Sequence, residues 1–311
     1  MSAMPSTASE AKASPVPPRP APSRWRRIGS EFAESRLAMV GLVLFALIVA
    51  GALLAPWIAP QNPHDLSVLD VMDGKLAPGS AASDGSMTYW LGTDAQARDM
   101  LSAILYGLRI SLLVGFVAVG ASLAIGTLAG VAAAYRGGWV DALIMRIVDV
   151  QLALPALLIA LVLLSILGKG VDKIIVALVV VQWAYFARTA RAAAVVERNK
   201  EYMEAAQCLS LGGTRALLRH LLPNCMPPLI ALATIDVAAC IAGEAALSFL
   251  GVGVPVSEPS RGMLTANGFD YLMSGRYWIS LFPGAALALT LVSLNLVGDQ
   301  LREVLNPRNA Q

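Results

Sequence analysis

Residues 188–224, RTARAAAVVERNKEYMEAAQCLSLGGTRALLRHLLPN, decide how the rest of the chain is read. They are too polar to cross a bilayer and too well patterned for a slack linker, so they are expected to fold outside the membrane. Glu197 to Leu211 has helix-forming composition, with Met203, Ala206, Cys208 and Leu209 giving an incomplete apolar side. Gly212 and Gly213 then offer the left-handed backbone that ends a helix, and Thr214 can cap the next. That second helix carries Leu217, Leu218, Leu221 and Leu222 as its apolar stripe and is expected to stop at Pro223. Two short helices fixed to membrane spans on either side would act as a lever, passing force from a soluble neighbour into the membrane.

Outward from this loop the chain is a series of apolar runs. Leu37 to Ile58 makes a helix of about 33 Å, enough for a hydrocarbon core of roughly 30 Å. Further spans are expected over Ile110 to Tyr135, Ile144 to Leu167, Ile174 to Ala187 (a shorter one), Met226 to Leu250 and Trp278 to Leu296. The fold class is therefore an all-α integral membrane protein, with six transmembrane helices and a helical hairpin between the fourth and fifth. Of 311 residues, 57% are hydrophobic and 14% charged, too little charge to cover a soluble surface.

Orientation follows from Lys and Arg. Arg24, Arg26, Arg27 and Arg36 precede the first span, and Arg188, Arg191, Arg198, Lys200, Arg215 and Arg219 lie in the loop, so both are expected in the cytoplasm. The segment from Pro60 to Tyr106, with Asp65, Asp70, Asp73, Asp84, Asp94 and Asp99, is then outside. The expected organisation is a disordered cytoplasmic tail over 1–23, an interfacial segment against lipid headgroups over 24–36, a first span over 37–58 and a periplasmic loop over 59–109. A transmembrane core over 110–302 follows, holding the loop 188–225, and then a cytoplasmic tail over 303–311. Within the 59–109 segment Asp94 can cap a short helix leading into Ile110, and after the fifth span Pro255 with Pro259 breaks the chain into a scoop-like loop.

Several functions are disfavoured. A net charge of +2, with no basic stripe, argues against nucleic acid. Cys208, Cys225 and Cys240 have no metal-ligand spacing, and His64 and His220 fall on opposite sides of the membrane, so no metal or cofactor is expected in the chain. No loop ends in Gly-Lys-Ser or Gly-Lys-Thr, and no nucleophile, base and metal constellation is visible, so catalysis is not expected.

Ionisable groups at membrane depth cost roughly 2.5 to 3.5 kcal/mol and default to function. Asp236 and Glu244, eight residues apart, lie close to one helix face and about 12 Å apart along it. Asp236 either faces a translocation path, where it meets an amino terminus or a cation, or pairs with a neighbouring helix. Asn295 either bridges helices or lines the path. Asp149 is expected to pair locally with Arg146. A gradient-driven carrier using Asp236 and Glu244 as an ion relay is the rival class, although paired half-structures with broken helices are not evident.

The loop resembles that of the inner-membrane permeases of ATP-binding-cassette importers, which contains Glu-Ala-Ala, three residues, Gly, then a helix closing on Leu-Pro. Glu204, Ala205, Ala206, Leu222 and Pro223 match; Ser210 occupies the glycine position, with Gly212 and Gly213 just beyond. The resemblance implies a coupling helix at Glu204 to Gly213 that docks on an ATPase subunit. It also implies a second, related permease, two ATPases that bind ATP and Mg, and a periplasmic or lipid-anchored solute-binding protein. Three further stretches resemble the second permease of the dipeptide, oligopeptide and nickel branch. These are Leu91-Gly92-Thr93-Asp94 with Arg98-Asp99, Glu244 to Gly251, and Gly298-Asp299 with Asn306-Pro307-Arg308. Ala97 stands where that branch has glycine, and Arg261 where it usually has tryptophan. The branch implies import of peptides or a related small solute across a bacterial inner membrane, with both termini cytoplasmic.

Overall fold

The structure is a computed structural model and describes residues 24–65, 69–208, 213–254 and 260–305. Ser210, Gly212, Leu209, Pro255, Pro259, the tail 1–23 and the Asn306-Pro307-Arg308 stretch lie outside the described residues.

A short helix α1 (Arg24–Glu34) leads to Ser35, whose hydroxyl accepts from Ala38 N and starts α2 (Arg36–Ile58). The segment between α2 and α3 follows, with a 3-10 turn at Val71–Asp73 and a two-stranded antiparallel hairpin of β1 (Ser80–Ala81) and β2 (Thr88–Tyr89), Ser80 opposite Tyr89. Then come α3 (Met100–Arg136), α4 (Gly138–Leu152), α5 (Ala156–Leu167) and α6 (Val171–Arg198). After the loop helices α7 (Glu201–Cys208) and α8 (Gly213–Ala216), a π-helical turn at Leu217–Leu221 runs into α9 (Leu222–Phe249). The chain closes with α10 (Arg261–Phe269) and α11 (Trp278–Val304).

Among the described residues five helices, α2, α3, α6, α9 with its π turn, and α11, are long and apolar enough to cross a membrane; α4 and α5 together make a sixth, bent by 90°. The third span is thus broken rather than straight. Pro155 has no N–H to donate and biases Leu154 away from helical backbone, so α4 ends and α5 restarts at a new angle. Leu37, Val40, Leu53 and Trp57 of α2 are exposed, a surface at rest only in lipid.

The longest seam is α3 on α6. Close approach is set by Gly126 and Gly130: a Cβ on Gly126 would lie 2.8 Å from Ala187 N, and one on Gly130 would lie 2.8 Å from both Ala190 Cβ and Arg191 N. α9 packs on α3, α6 and α11, and α2 lies across α11 and α3, where Gly41 meets Leu296 and Ser293. The core runs between these helices through Val114, Ala118, Phe186, Ile241 and Leu247.

Three expectations about the loop are corrected. The helix expected over Glu197 to Leu211 breaks at Asn199 and Lys200, because α6 continues unbroken to Arg198. Gly213 lies within α8, not in left-handed backbone, so the second helix begins before Thr214. Pro223 does not end a helix. Leu222 N–H bonds Leu217 O five residues back, a widened turn that admits the proline ring, and Asn224 Nδ2 donates to the His220 carbonyl at 2.7 Å. The result is one continuous rod from Leu217 to Phe249.

Candidate functional site

At the loop end of the bundle, helix α6 carries the cations and α4 the matching carboxylates. Arg191 grips Asp141 through both Nε (2.5 Å) and Nη2 (2.6 Å), and Arg188 pairs with Asp149. Asp149 is therefore held across the α4–α6 crossing, not by Arg146 on its own helix. Gln151 adds a donor to the Val181 carbonyl at 3.2 Å and accepts from Trp183 Nε1 at 2.8 Å. Two turns beyond Arg191, Arg198 Nη1 donates to the Ala134 carbonyl near the end of α3, 2.7 Å away.

Helix α7 is seated on this platform by two neighbouring side chains. Met203 is buried, and the Tyr202 hydroxyl donates to Glu197 Oε2 at 2.8 Å, while Lys200 reaches Glu197 Oε1 at 2.6 Å. Burial, then the Glu197 carboxylate, push the Tyr202 hydroxyl up to about 12, so it stays a donor at neutral pH. With those two side chains turned inward, Glu204 and Ala205 face outward and are exposed. Leu221 is buried and Leu217 and Leu222 pack on the core, whereas Leu218 is exposed. Gly213 opens α8 against Tyr135, the penultimate residue of α3.

The polar groups at membrane depth do not converge. Asp236 Oδ1 accepts from Gln182 Nε2 of α6 at 2.6 Å, with Cys240 Sγ 3.7 Å from the same amide; among the described residues Asp236 Oδ2 has no partner. Glu244 is fully enclosed and accepts from Ser111 of α3 and Ser248 of α9, each at 2.9 Å. Asn295 lies apart from both, exposed on α11. Among the described residues no group of three or more His, Cys, Asp or Glu side chains could hold a metal ion.

At the opposite end the segment between α2 and α3 is a built ledge. Asp99 caps α3 through Ser102 N at 2.8 Å and receives Ser102 Oγ at 2.5 Å, and Gln61 accepts from Asp99 N at 2.8 Å. Asp99, not Asp94, is the cap; Asp94 accepts instead from the backbone of Gln96 and Arg98. Gly92 has φ +78° and would meet Leu76 O at 2.6 Å and the Trp278 ring at 3.0 Å if it carried a Cβ. Ala97 has φ +62°, a left-handed position where glycine would be unstrained.

The sequence reading did not anticipate Gln182, Ser111, Ser248, Tyr135 or the Asp141–Arg191 pair. Gln182 was legible as a polar residue inside an apolar run. The hydroxyls carried no such mark, since serine is ordinary in a membrane helix.

A helical bundle with basic loop helices at one end, a capped polar ledge at the other and buried polar groups between has the build of a multi-pass membrane protein. Comparison with known proteins identifies which kind. Residues 122–311 match the family described as binding-protein-dependent transport system inner membrane component, and residues 23–78 the N-terminal TM domain of oligopeptide transport permease C. The chain is 38% identical over 287 residues to the di/tripeptide transport system permease protein DppC of Pseudomonas aeruginosa, covering 92% of this chain and 93% of that one. It is 39% identical over 297 residues to the dipeptide transport system permease protein DppC of Escherichia coli, covering 96% of each. Against the DppC of Alkalihalophilus pseudofirmus identity is 33% over 286 residues, 92% of this chain and 90% of that one. The chain belongs to the binding-protein-dependent transport system inner membrane component family, and is a multi-pass inner-membrane permease subunit of an ATP-binding-cassette importer.

Proposed function

We propose that this chain forms half of the translocation pathway of an ATP-driven importer for dipeptides, oligopeptides or a related small solute. A second, related permease supplies the other half, two ATPase subunits bind ATP and Mg, and a solute-binding protein delivers the solute at the outer ledge. Both chain termini and the loop lie in the cytoplasm, in keeping with the basic residues that flank the first span and fill the loop. The names of the relatives support the peptide class.

The seating of α7 carries the coupling role. Met203, buried in the core, and Tyr202, bonded to Glu197 of α6, anchor the helix, leaving Glu204 and Ala205 presented outward. A partner that pushes on this face moves α6 through Glu197, α3 through Ala134 and Tyr135, and the rod of α9 through its π turn. In this reading Glu204, Ala205, Ala206, Ser210, Gly212 and Gly213 meet the ATPase, while Leu222 and Pro223 set the join to α9. Of the path candidates, exposed Asn295 is best placed to face the second permease or the solute. Asp236 has one free carboxylate oxygen to offer, and Glu244 is reachable only after the helices shift.

The test uses the whole assembly in lipid vesicles, with ATP on the loop side. An Ala205→Cys chain should cross-link to an ATPase subunit, and Glu204→Lys should abolish ATP-dependent dipeptide uptake while the assembly still forms. Uptake that persists on an ion gradient without ATP hydrolysis, or an ATPase that never contacts residue 205, would overturn the reading.

A further inference from the structure

Helix α10 re-enters the bundle. Its first residue, Arg261, donates from Nη1 to Thr290 Oγ1 at 2.7 Å and to the Ala286 carbonyl at 3.2 Å. Thr290 lies twelve residues into α11, roughly 18 Å along its axis, so this guanidinium sits deep among the helices. It is also the largest fully buried side chain among the described residues. Glycines hold α10 tight at both ends, Gly262 against Ala245 of α9 and Gly268 against Ile279 of α11. The segment is therefore fixed.

The other edge of Arg261 is empty. Nε and Nη2 are both buried and have no hydrogen-bond partner among the described residues. These two nitrogens form the side-on fork of a guanidinium, the same pair with which Arg191 takes both oxygens of Asp141. The backbone of Arg261 opens the nine-residue helix α10, whose start is capped by Ser260 to Met263 N, so the side chain is carried by a fixed helix end. Glu244 precedes Ala245, against which Gly262 of α10 packs, yet Glu244 and Arg261 make no ion pair within 4.0 Å, and both Glu244 oxygens are occupied by Ser111 and Ser248. A buried cation in this state lacks the planar, two-oxygen anion its shape calls for.

We infer that the free Nε and Nη2 edge of Arg261 is a carboxylate-binding site inside the membrane domain, occupied during the transport cycle. Two sources supply that chemistry. One is the terminal carboxylate of the passing solute, which deepens the peptide reading above and rests on it. The other is Glu244, released from its serines as α9 and α10 shift.

The reconstituted importer, with its binding protein outside and ATP inside, is offered alanylalanine and, separately, alanylalanine amide, which lacks the carboxylate. R261Q removes the charge, and R261K keeps the charge without the fork. In assemblies that form normally by size-exclusion chromatography, each should slow uptake of the free acid by about tenfold or more. A solute carboxylate is indicated if the acid-to-amide ratio falls, because the same binding protein delivers both compounds. Glu244 is indicated if both fall equally, E244Q reproduces the loss, and the double variant is no worse than either single one. R261Q or R261K at wild-type rate and ratio overturns the inference, and where R261Q does not assemble, R261K decides. A wild-type assembly that takes up neither compound would instead count against the peptide reading.

Discussion

The side-chain amide of Gln182 donates to Asp236 Oδ1 at 2.6 Å, joining α6 to α9 in the middle of the bundle. Gln182→Leu strips that carboxylate of its donor and should destabilise the subunit by about 1–3 kcal/mol, read as a drop in unfolding temperature. Asp236→Asn keeps an amide-to-amide bond and should assemble normally while slowing uptake. If it transports at the wild-type rate, Asp236 has no part in the path and serves only the helix crossing.

The Asp141–Arg191 pair is bidentate but partly exposed, with 22% and 37% of the side chains accessible, so its worth is set by solvent screening. Asp141→Asn should cost no more than about 1 kcal/mol. The reversed pair, Asp141→Arg with Arg191→Asp, should recover much of the stability lost by either change alone. Equal additive losses would show that α4 is held on α6 by packing and not by this bond.

Two glycines that both face close neighbours should respond differently to alanine. At Gly130 the obstacles include Arg191 N and Ala190 Cβ at 2.8 Å, fixed parts of α6, so Gly130→Ala should force α3 and α6 apart at about 1–3 kcal/mol. At Gly213 the obstacle is the hydroxyl end of Tyr135, which is 38% exposed and can swing away. Gly213→Ala should be mild and should be relieved by Tyr135→Phe. A severe Gly213→Ala defect that Tyr135→Phe leaves unchanged would refute this account.

Ala97 occupies left-handed backbone at φ +62° and is buried. Glycine there would relieve roughly 1–2 kcal/mol of strain. It would forgo about 0.8 kcal/mol of methyl burial and some chain entropy. Ala97→Gly should therefore be neutral to slightly stabilising, and Ala97→Val, with its branched Cβ, clearly destabilising. A calorimetric loss from the glycine variant larger than the valine one would contradict it.

The β1–β2 hairpin is pinned by Asp73, whose carboxylate accepts from Ser83 N at 2.9 Å, Ser83 Oγ and the Tyr89 hydroxyl at 2.8 Å. Burial pulls its pKa upward, but the Ser83 and Tyr89 bonds together hold it below the ordinary 3.8. A depressed native value means the stabilisation is complete above the ordinary value and is lost as pH falls through the native one. Hydrogen exchange over 73–89 should stay slow at neutral pH and rise only in strong acid. Asp73→Asn should weaken protection at neutral pH and abolish that acid step; a step near neutrality would exclude Asp73 as its source.

Composition and spacing alone made legible the membrane class, most of the apolar helical runs, the basic character of the segment after the fourth span and the motif Glu204-Ala205-Ala206 within it. Those depend on local composition and spacing, which report a helix's length and polarity whatever it touches. Gly92 was likewise legible as part of a motif, although its reason, the crowding of Leu76 O and the Trp278 ring, was not. Tertiary structure alone decided that Pro155 turns the third span by 90°, and that Pro223 sits inside a rod through the π turn before it. It also decided that Asp149 finds Arg188, Asp236 finds Gln182, and Arg261 lies buried with half its guanidinium unmatched. A side chain's partner is fixed by where two distant helices cross, and a proline's effect by whether neighbouring turns can widen around it. Neither is encoded in the spacing of residues along one strand of chain.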